Sequence, residues 1–179
     1  MRNISFDREK FRELVLYVAG QTSDDRWFGD THLNKVLYWT DFSAYQGLGR
    51  PVTGARYFKL RFGPAARPLL PVRDELRQEG LLEVEEPPAG SMDARKTIPR
   101  RDADTSLFSP DELELVDRVI EQLKGKTASR ISDISDEEPG WQLVDMEDDI
   151  PYEMALISAE APSEKALARA RARAEQLGW

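Results

Sequence analysis

Cysteine is absent from the chain, and histidine occurs once, as His32. Without cysteine there are no disulfides, no thiolate metal sites and no thiol nucleophile, a composition that fits a reducing compartment. A single histidine leaves the usual zinc sites and histidine-activated nucleophiles short of parts. His32 is therefore read as neither metal ligand nor general base. There is no GxxxxGK[ST] or GxGxxG phosphate loop, no HExxH helix and no GxSxG elbow. The acids Asp145, Glu147, Asp148 and Asp149 carry charge enough for Mg²⁺ or Ca²⁺ but lack the glycine and ligand spacing of an EF-hand loop, so neither metal nor cofactor is assigned. No apolar run approaches the roughly 18 residues that span a bilayer, and the segment MRNISFDREKF lacks the apolar core of a signal peptide. The expectation is a cytoplasmic protein, not an enzyme, that works by binding.

What is present is a folded domain with uneven charge. A chain of 179 residues, 40% of them hydrophobic, is long enough for one sizeable core with appended segments. Its net charge is −8, which argues against nonspecific nucleic-acid binding. Residues 132–149 hold Asp133, Asp136, Glu137, Glu138, Asp145, Glu147, Asp148 and Asp149 and no base. Residues 50–78 hold Arg50, Arg56, Lys59, Arg61, Arg67, Arg73 and Arg77 against Asp74 and Glu75. These two regions either face each other or each face a partner.

Along the chain, Ser5 is placed to cap a first helix over residues 7–19, with Phe11, Leu14, Val15 and Val18 on one face. Trp27 and Phe28 read as core anchors in the loop that follows. Asp30 or Thr31 opens a second helix whose stripe is Leu33, Val36, Leu37, Thr40 and Ala44. Tyr38, Trp39, Phe42 and Tyr45 flank it, so this helix is apolar around much of its circumference and should lie centrally. Gly47 and Gly49 stop it. Residues 56–62 suggest a short extended or single-turn segment, and Gly63-Pro64 a turn into a third helix closed by Gly80. Two strands, at residues 81–85 and 95–101 with Ile98 inward, make a hairpin that is either a winged-helix wing or a lid on the helical core. Ser109-Pro110-Asp111-Glu112 has the signature of a capping box. A short helix over residues 128–134, a turn at Glu138-Pro139-Gly140-Trp141 and a restart at Ile150-Pro151-Tyr152 follow. Beyond Pro162, ALARARARAEQLGW has a thin stripe of Leu167, Ala170, Ala174 and Leu177, a helix that packs loosely, stays mobile or folds on a partner. The fold class is mainly α (α+β): a compact bundle of about six helices around a central hydrophobic helix, with one β-hairpin.

The stretch that carries identity is residues 33–64. Leu33-Asn34-Lys35-Val36-Leu37-Tyr38, Asp41, Gly49-Arg50-Pro51-Val52-Thr53-Gly54, Tyr57 and Phe62-Gly63-Pro64 follow in that order. Glu79-Gly80-Leu81, the capped helix at Ser109, a Ser-x-x-Ser segment, Pro139-x-Trp141, Ile150 and Tyr152 extend the series. Together they resemble the Panacea domain, the SocA-like antitoxin family. The sequence departs from the family pattern at Asp136, where members often have histidine, and at Ala65 of the Gly63-Pro64-Ala65 turn. The resemblance implies a Panacea-like antitoxin domain over residues 1–158 and a C-terminal helical extension over 159–179. It further implies a binder that neutralises a cognate toxin protein by direct contact, with a cytosolic protease as a second partner if it acts as an adaptor. Asn34, Lys35, Tyr38, Asp41, Pro51, Thr53, Gly54, Tyr57, Gly63, Pro64 and Trp141 are its motif residues. Arg50, Arg56, Tyr57, Lys59, Arg61 and Phe62 have the aromatic and basic character of interface anchors, although the aromatics would also serve as internal packing. The alternative function is a winged-helix-like, nucleic-acid-binding transcriptional regulator, with Arg95, Lys96, Arg100 and Arg101 on phosphates.

Overall fold

The computed structural model describes residues 4–136 and 138–157. The first helix, α1 (Arg8–Gln21), is capped by Asp7, whose carboxylate accepts from the Lys10 amide at 2.9 Å. Ser5, expected to be the cap, instead lies in an extended segment packed against the turn at Gly54. There the Asp7 amide donates to the Thr53 carbonyl at 2.8 Å. Helix α2 (Asp30–Leu48) runs through Gly47 and ends at Gly49, which takes the left-handed conformation at φ 75°. Its residues Leu33, Val36, Leu37, Tyr38, Thr40, Asp41, Phe42 and Ala44 are buried, and α2 packs on the first helix, on three later helical segments and on a strand. It is the central helix that its composition foretold.

The chain next forms strands β1 (Tyr57–Leu60) and β2 (Gly63–Ala66), antiparallel, with Lys59 opposite Pro64. Gly63-Pro64 is thus not the turn into a helix but the start of a strand. Pro64 is tolerated because β2 is an edge strand, where the missing amide hydrogen breaks no ladder. Pro68 precedes α3 (Leu69–Gln78) instead. Strands β3 (Leu82–Glu85) and β4 (Lys96–Pro99) make the expected hairpin, which lies on α1. Its connecting loop closes on Gly29, where a Cβ would come within 2.6 Å of the Ala94 Cβ. Phe28 is buried beneath it and Trp27 half-buried.

Helix α4 (Pro110–Leu123) has the capping box complete: Ser109 accepts from the Glu112 amide, and the Glu112 carboxylate accepts from the Ser109 amide. Helices α5 (Ala128–Asp136) and α6 (Pro139–Gln142) follow, then a two-residue strand, β5 (Asp149–Ile150), and a 3₁₀ turn at Tyr152–Leu156. Strand β5 pairs with β1, giving a second sheet in the order β2-β1-β5 that the sequence did not announce. The architecture is mainly helical α+β. The extension expected over residues 159–179 lies outside the described residues.

Candidate functional site

Asp41 is fully buried on α2, yet it is a carboxylate, and burial drives its pKa above the usual range. Thr53 opposes this by donating twice, from its amide at 2.7 Å and its hydroxyl at 2.5 Å. The hydroxyls of Tyr57 and Tyr152 lie 2.9 and 3.2 Å from Oδ2. Tyr57 is 1% exposed, so this predicted anchor belongs to the interior. Three aromatic rings meet it edge-to-face, Tyr38, Phe42 and Tyr152. Gly54, at φ 70°, lets the chain reverse beside Thr53 and approach Ser5, and Pro51 opens the same turn.

Two neighbours on α2 hold the β1–β2 hairpin. Asn34 accepts from the Ala66 amide at 3.0 Å, and the buried Lys35 ammonium donates to the Phe62 carbonyl at 2.8 Å. Together they fix both ends of β2, so the turn at Arg61 and Phe62 is displayed on a rigid support. Gly63 permits the tight reversal there at φ 104°.

The basic and acidic regions meet. Arg56 and Arg67 both bind Asp149, and Arg67 also donates to the Glu147 carbonyl at 2.9 Å. Partial burial works against ionisation of Asp149, but the two guanidiniums hold its pKa below the ordinary carboxylate value. Lys59 donates to the Val144 carbonyl at 2.9 Å and sits 4.2 Å over the Trp141 ring, whose Nε1 donates to the Leu60 carbonyl at 3.2 Å. Arg50 reaches toward the buried Glu112 at 3.4 Å. Of the predicted anchors, Arg61 and Phe62 are the exposed pair for which no acceptor or core contact is found among the described residues: Phe62 is 65% exposed, and the Arg61 guanidinium rests 5.5 Å from its ring.

Three further apolar residues that sequence reasoning did not select are exposed on neighbouring stretches of chain. Leu60 is exposed beside the tip at Arg61 and Phe62, and Leu143 and Met146 are 62% and 53% exposed on the loop that hydrogen-bonds to β1 through Lys59 and Leu60. For Leu143 and Met146 the signal in the sequence was an apolar run broken by one acid, Leu143-Val144-Asp145-Met146.

The hairpin bases are occupied. Arg95 binds Asp30, Arg100 binds Glu83, Arg101 grips Glu13 at 2.6 and 2.8 Å, and Lys96 donates to the Ser23 carbonyl at 2.8 Å. The hairpin therefore serves the helical core as a lid. His32 is buried with Nε2 2.7 Å from the Lys126 carbonyl oxygen, and burial lowers its pKa. Among the described residues no group of three or more His, Asp or Glu is placed to hold a metal ion. No helix there is long and apolar enough to cross a membrane.

A family model described as antitoxin SocA-like, Panacea domain, matches residues 33–142. The chain belongs to this family. Comparisons with curated proteins and with solved structures returned no match. In this Panacea domain the motif residues divide by role. Asn34, Lys35 and Gly63 fix the tip; Asp41, Thr53, Gly54 and Tyr57 build the buried knot behind it; Trp141 clasps the acidic loop to β1. The knot also needs Tyr152, which lies beyond the matched span. The departure at Asp136 falls on a side chain outside the described residues.

Proposed function

We propose that this Panacea protein is an antitoxin-like binder that neutralises a cognate toxin by direct protein–protein contact in the cytoplasm, without catalysis. The observation that carries this reading is the exposed pair Arg61 and Phe62 at the β1–β2 turn, with Leu60 exposed next to it and Leu143 and Met146 exposed on the loop that hydrogen-bonds to β1. It combines exposed apolar area, an aromatic and an arginine without a carboxylate partner among the described residues, the residue types that dominate binding energy at interfaces. It is held by buried groups, so little ordering is needed on binding. Family membership supports a toxin as the partner in general.

The test is co-expression with the product of the neighbouring open reading frame. That product should arrest growth alone and be tolerated with this protein, and Arg61→Glu with Phe62→Asp should restore arrest while leaving the thermal transition unchanged. A product harmless alone, or toxic in the presence of the native protein, ends the proposal. Delivery to a cytosolic protease is the finer form, and it requires that the toxin's half-life shorten when this protein is present.

A further inference from the structure

His32 holds a buried junction that neither the tip nor the Asp41 knot uses. It is the chain's one histidine, on the first turn of α2, fully buried against the Phe28 ring at a centroid distance of 5.0 Å. Its Nε2 lies 2.7 Å from the Lys126 carbonyl oxygen, and a carbonyl only accepts, so Nε2 carries the hydrogen and Nδ1 is bare. Nδ1 has no hydrogen-bond partner among the described residues. A second bond joins the same two stretches of chain: the Asp25 carboxylate accepts from the Gly125 amide at 2.8 Å and from the Trp27 amide at 3.0 Å. The α4–α5 connection is thus gripped at two consecutive residues, by an amide and then a carbonyl. Helix α5 begins just beyond, packs on α2 and β2, and its Ser132 hydroxyl donates to the Phe62 carbonyl at 3.3 Å.

A neutral imidazole satisfies this geometry and an imidazolium does not. Protonation adds a hydrogen at Nδ1 and a charge in a site closed to water, with no acceptor among the described residues to receive it. The surrounding charges do not make this good. From the α1–α2 loop Asp25 attracts the imidazolium, but its two oxygens already hold the Trp27 and Gly125 amides. From the α4–α5 connection the Lys126 ammonium turns back to the Gln122 carbonyl, and on α2 itself Asp30 is held by Arg73 and Arg95. Burial outweighs Asp25, and the folded-state pKa of His32 lies below the ordinary histidine value. Once opened to water the imidazole regains the ordinary value, so acid favours opening.

We propose that His32 is an acid-released latch: neutral, it fastens the α4–α5 connection to the α1–α2 loop, and charged, it lets that connection and the start of α5 part from the loop while the rest of the core stays folded. This inference does not rest on the tip binding a toxin.

One histidine gives one imidazole signal, so titration of the ¹⁵N-labelled full chain by NMR tests the latch directly. The native protein is expected to show the Nε2–H tautomer at neutral pH and a midpoint below that of free histidine. As pH falls below about 6.5, amide protection factors at residues 125–131 should drop about tenfold per pH unit until that midpoint, while those in the middle of α2 hold. His32→Gln, whose side-chain amide can donate to the Lys126 carbonyl and takes no charge, should keep the protection level across the same range. Asp25→Asn, which retains His32, should keep the drop. A histidine that titrates at the ordinary value, protection that stays level in the native protein, a drop that persists in His32→Gln, or one that vanishes in Asp25→Asn overturns the inference. The native titration decides the matter even where His32→Gln does not fold.

Discussion

The Tyr57 hydroxyl lies 2.9 Å from Asp41 Oδ2 and 2.8 Å from the Leu37 carbonyl oxygen. Tyr152 repeats the arrangement, 3.2 Å from Asp41 and 2.6 Å from the Ala55 carbonyl oxygen. Each hydroxyl has one hydrogen, so each chooses between a carbonyl and the carboxylate. With Asp41 ionised the hydroxyls are drawn to it and the carbonyls lose donors; with Asp41 protonated both carbonyls keep theirs and Asp41 itself donates.

Asp41 therefore has two distinguishable substitutions. Asn reproduces the protonated acid and should cost no more than about 1 kcal/mol, whereas Ala strands the Thr53 amide and hydroxyl and should cost about 3 kcal/mol. Because burial raises the folded-state pKa of Asp41, the folded protein binds this proton more tightly than the unfolded chain. Its contribution is greatest below the unfolded carboxylate pKa and declines as pH rises through the folded one. Urea unfolding of the native protein and Asp41→Asn from acid to neutral pH should show that component only in the native protein.

Glu112 joins α1 to α4 by accepting from the buried Lys10 ammonium at 2.7 Å while it also caps its own helix. Glu112→Ala leaves a buried cation unpaired and should cost about 3 to 5 kcal/mol. Replacing Lys10 and Glu112 together by Met should recover part of that loss in a thermal unfolding series, because no buried cation is then left unpaired, while the Ser109 amide still loses its acceptor. A double variant no more stable than Glu112→Ala would contradict this account.

Gly54 and Gly47 make a matched pair of opposite sign. At Gly54, φ is 70° and a Cβ would fall 2.4 Å from the Ser5 carbonyl oxygen, so Gly54→Ala should destabilise by about 2 kcal/mol or more. Gly47 is helical with open space around it, and Gly47→Ala should stabilise by roughly 0.5 to 1 kcal/mol. Chemical denaturation gives both, and amide exchange at residues 5–7 should accelerate only for the Gly54 variant.

Asp149 lies on the surface, and its two arginines are exposed to solvent, so Asp149→Asn should cost about 1 kcal/mol or less. The lowered pKa fixes the sign: this contribution is present above the unfolded carboxylate pKa and is lost as pH falls through the folded value. The difference between native and variant protein should shrink in acid and in high salt.

What could be read from the sequence was whatever is local. The 3.6-residue stripe of α2, the capping box at Ser109 and the hairpin at residues 82–99 each declare themselves within a few residues. Strand β5 did not, because two residues carry no periodicity and Asp149–Ile150 is a strand only by virtue of β1. Pro64 misled for a related reason: Gly-Pro before a helical pattern signals a helix start, and only the pairing with Lys59 makes it an edge strand. Tyr57 was an aromatic among bases, and nothing in its neighbours announces that Asp41 waits for it sixteen positions earlier. Ion pairs such as Glu13 with Arg101 span 88 positions and leave no local trace.

Tyr152 reaches Asp41 across 111 positions of chain, and β5 closes on β1 across nearly as many. Contacts so distant in sequence are slow to form, since a long loop must be ordered before they give anything back. During synthesis, which releases the amino-terminal part first, α2 must exist for a time with its carboxylate facing water, ionised and without its aromatic cover. The Asp41 knot then closes late, and because burial there favours the protonated acid, a nascent chain should mature faster in mild acid than in alkali.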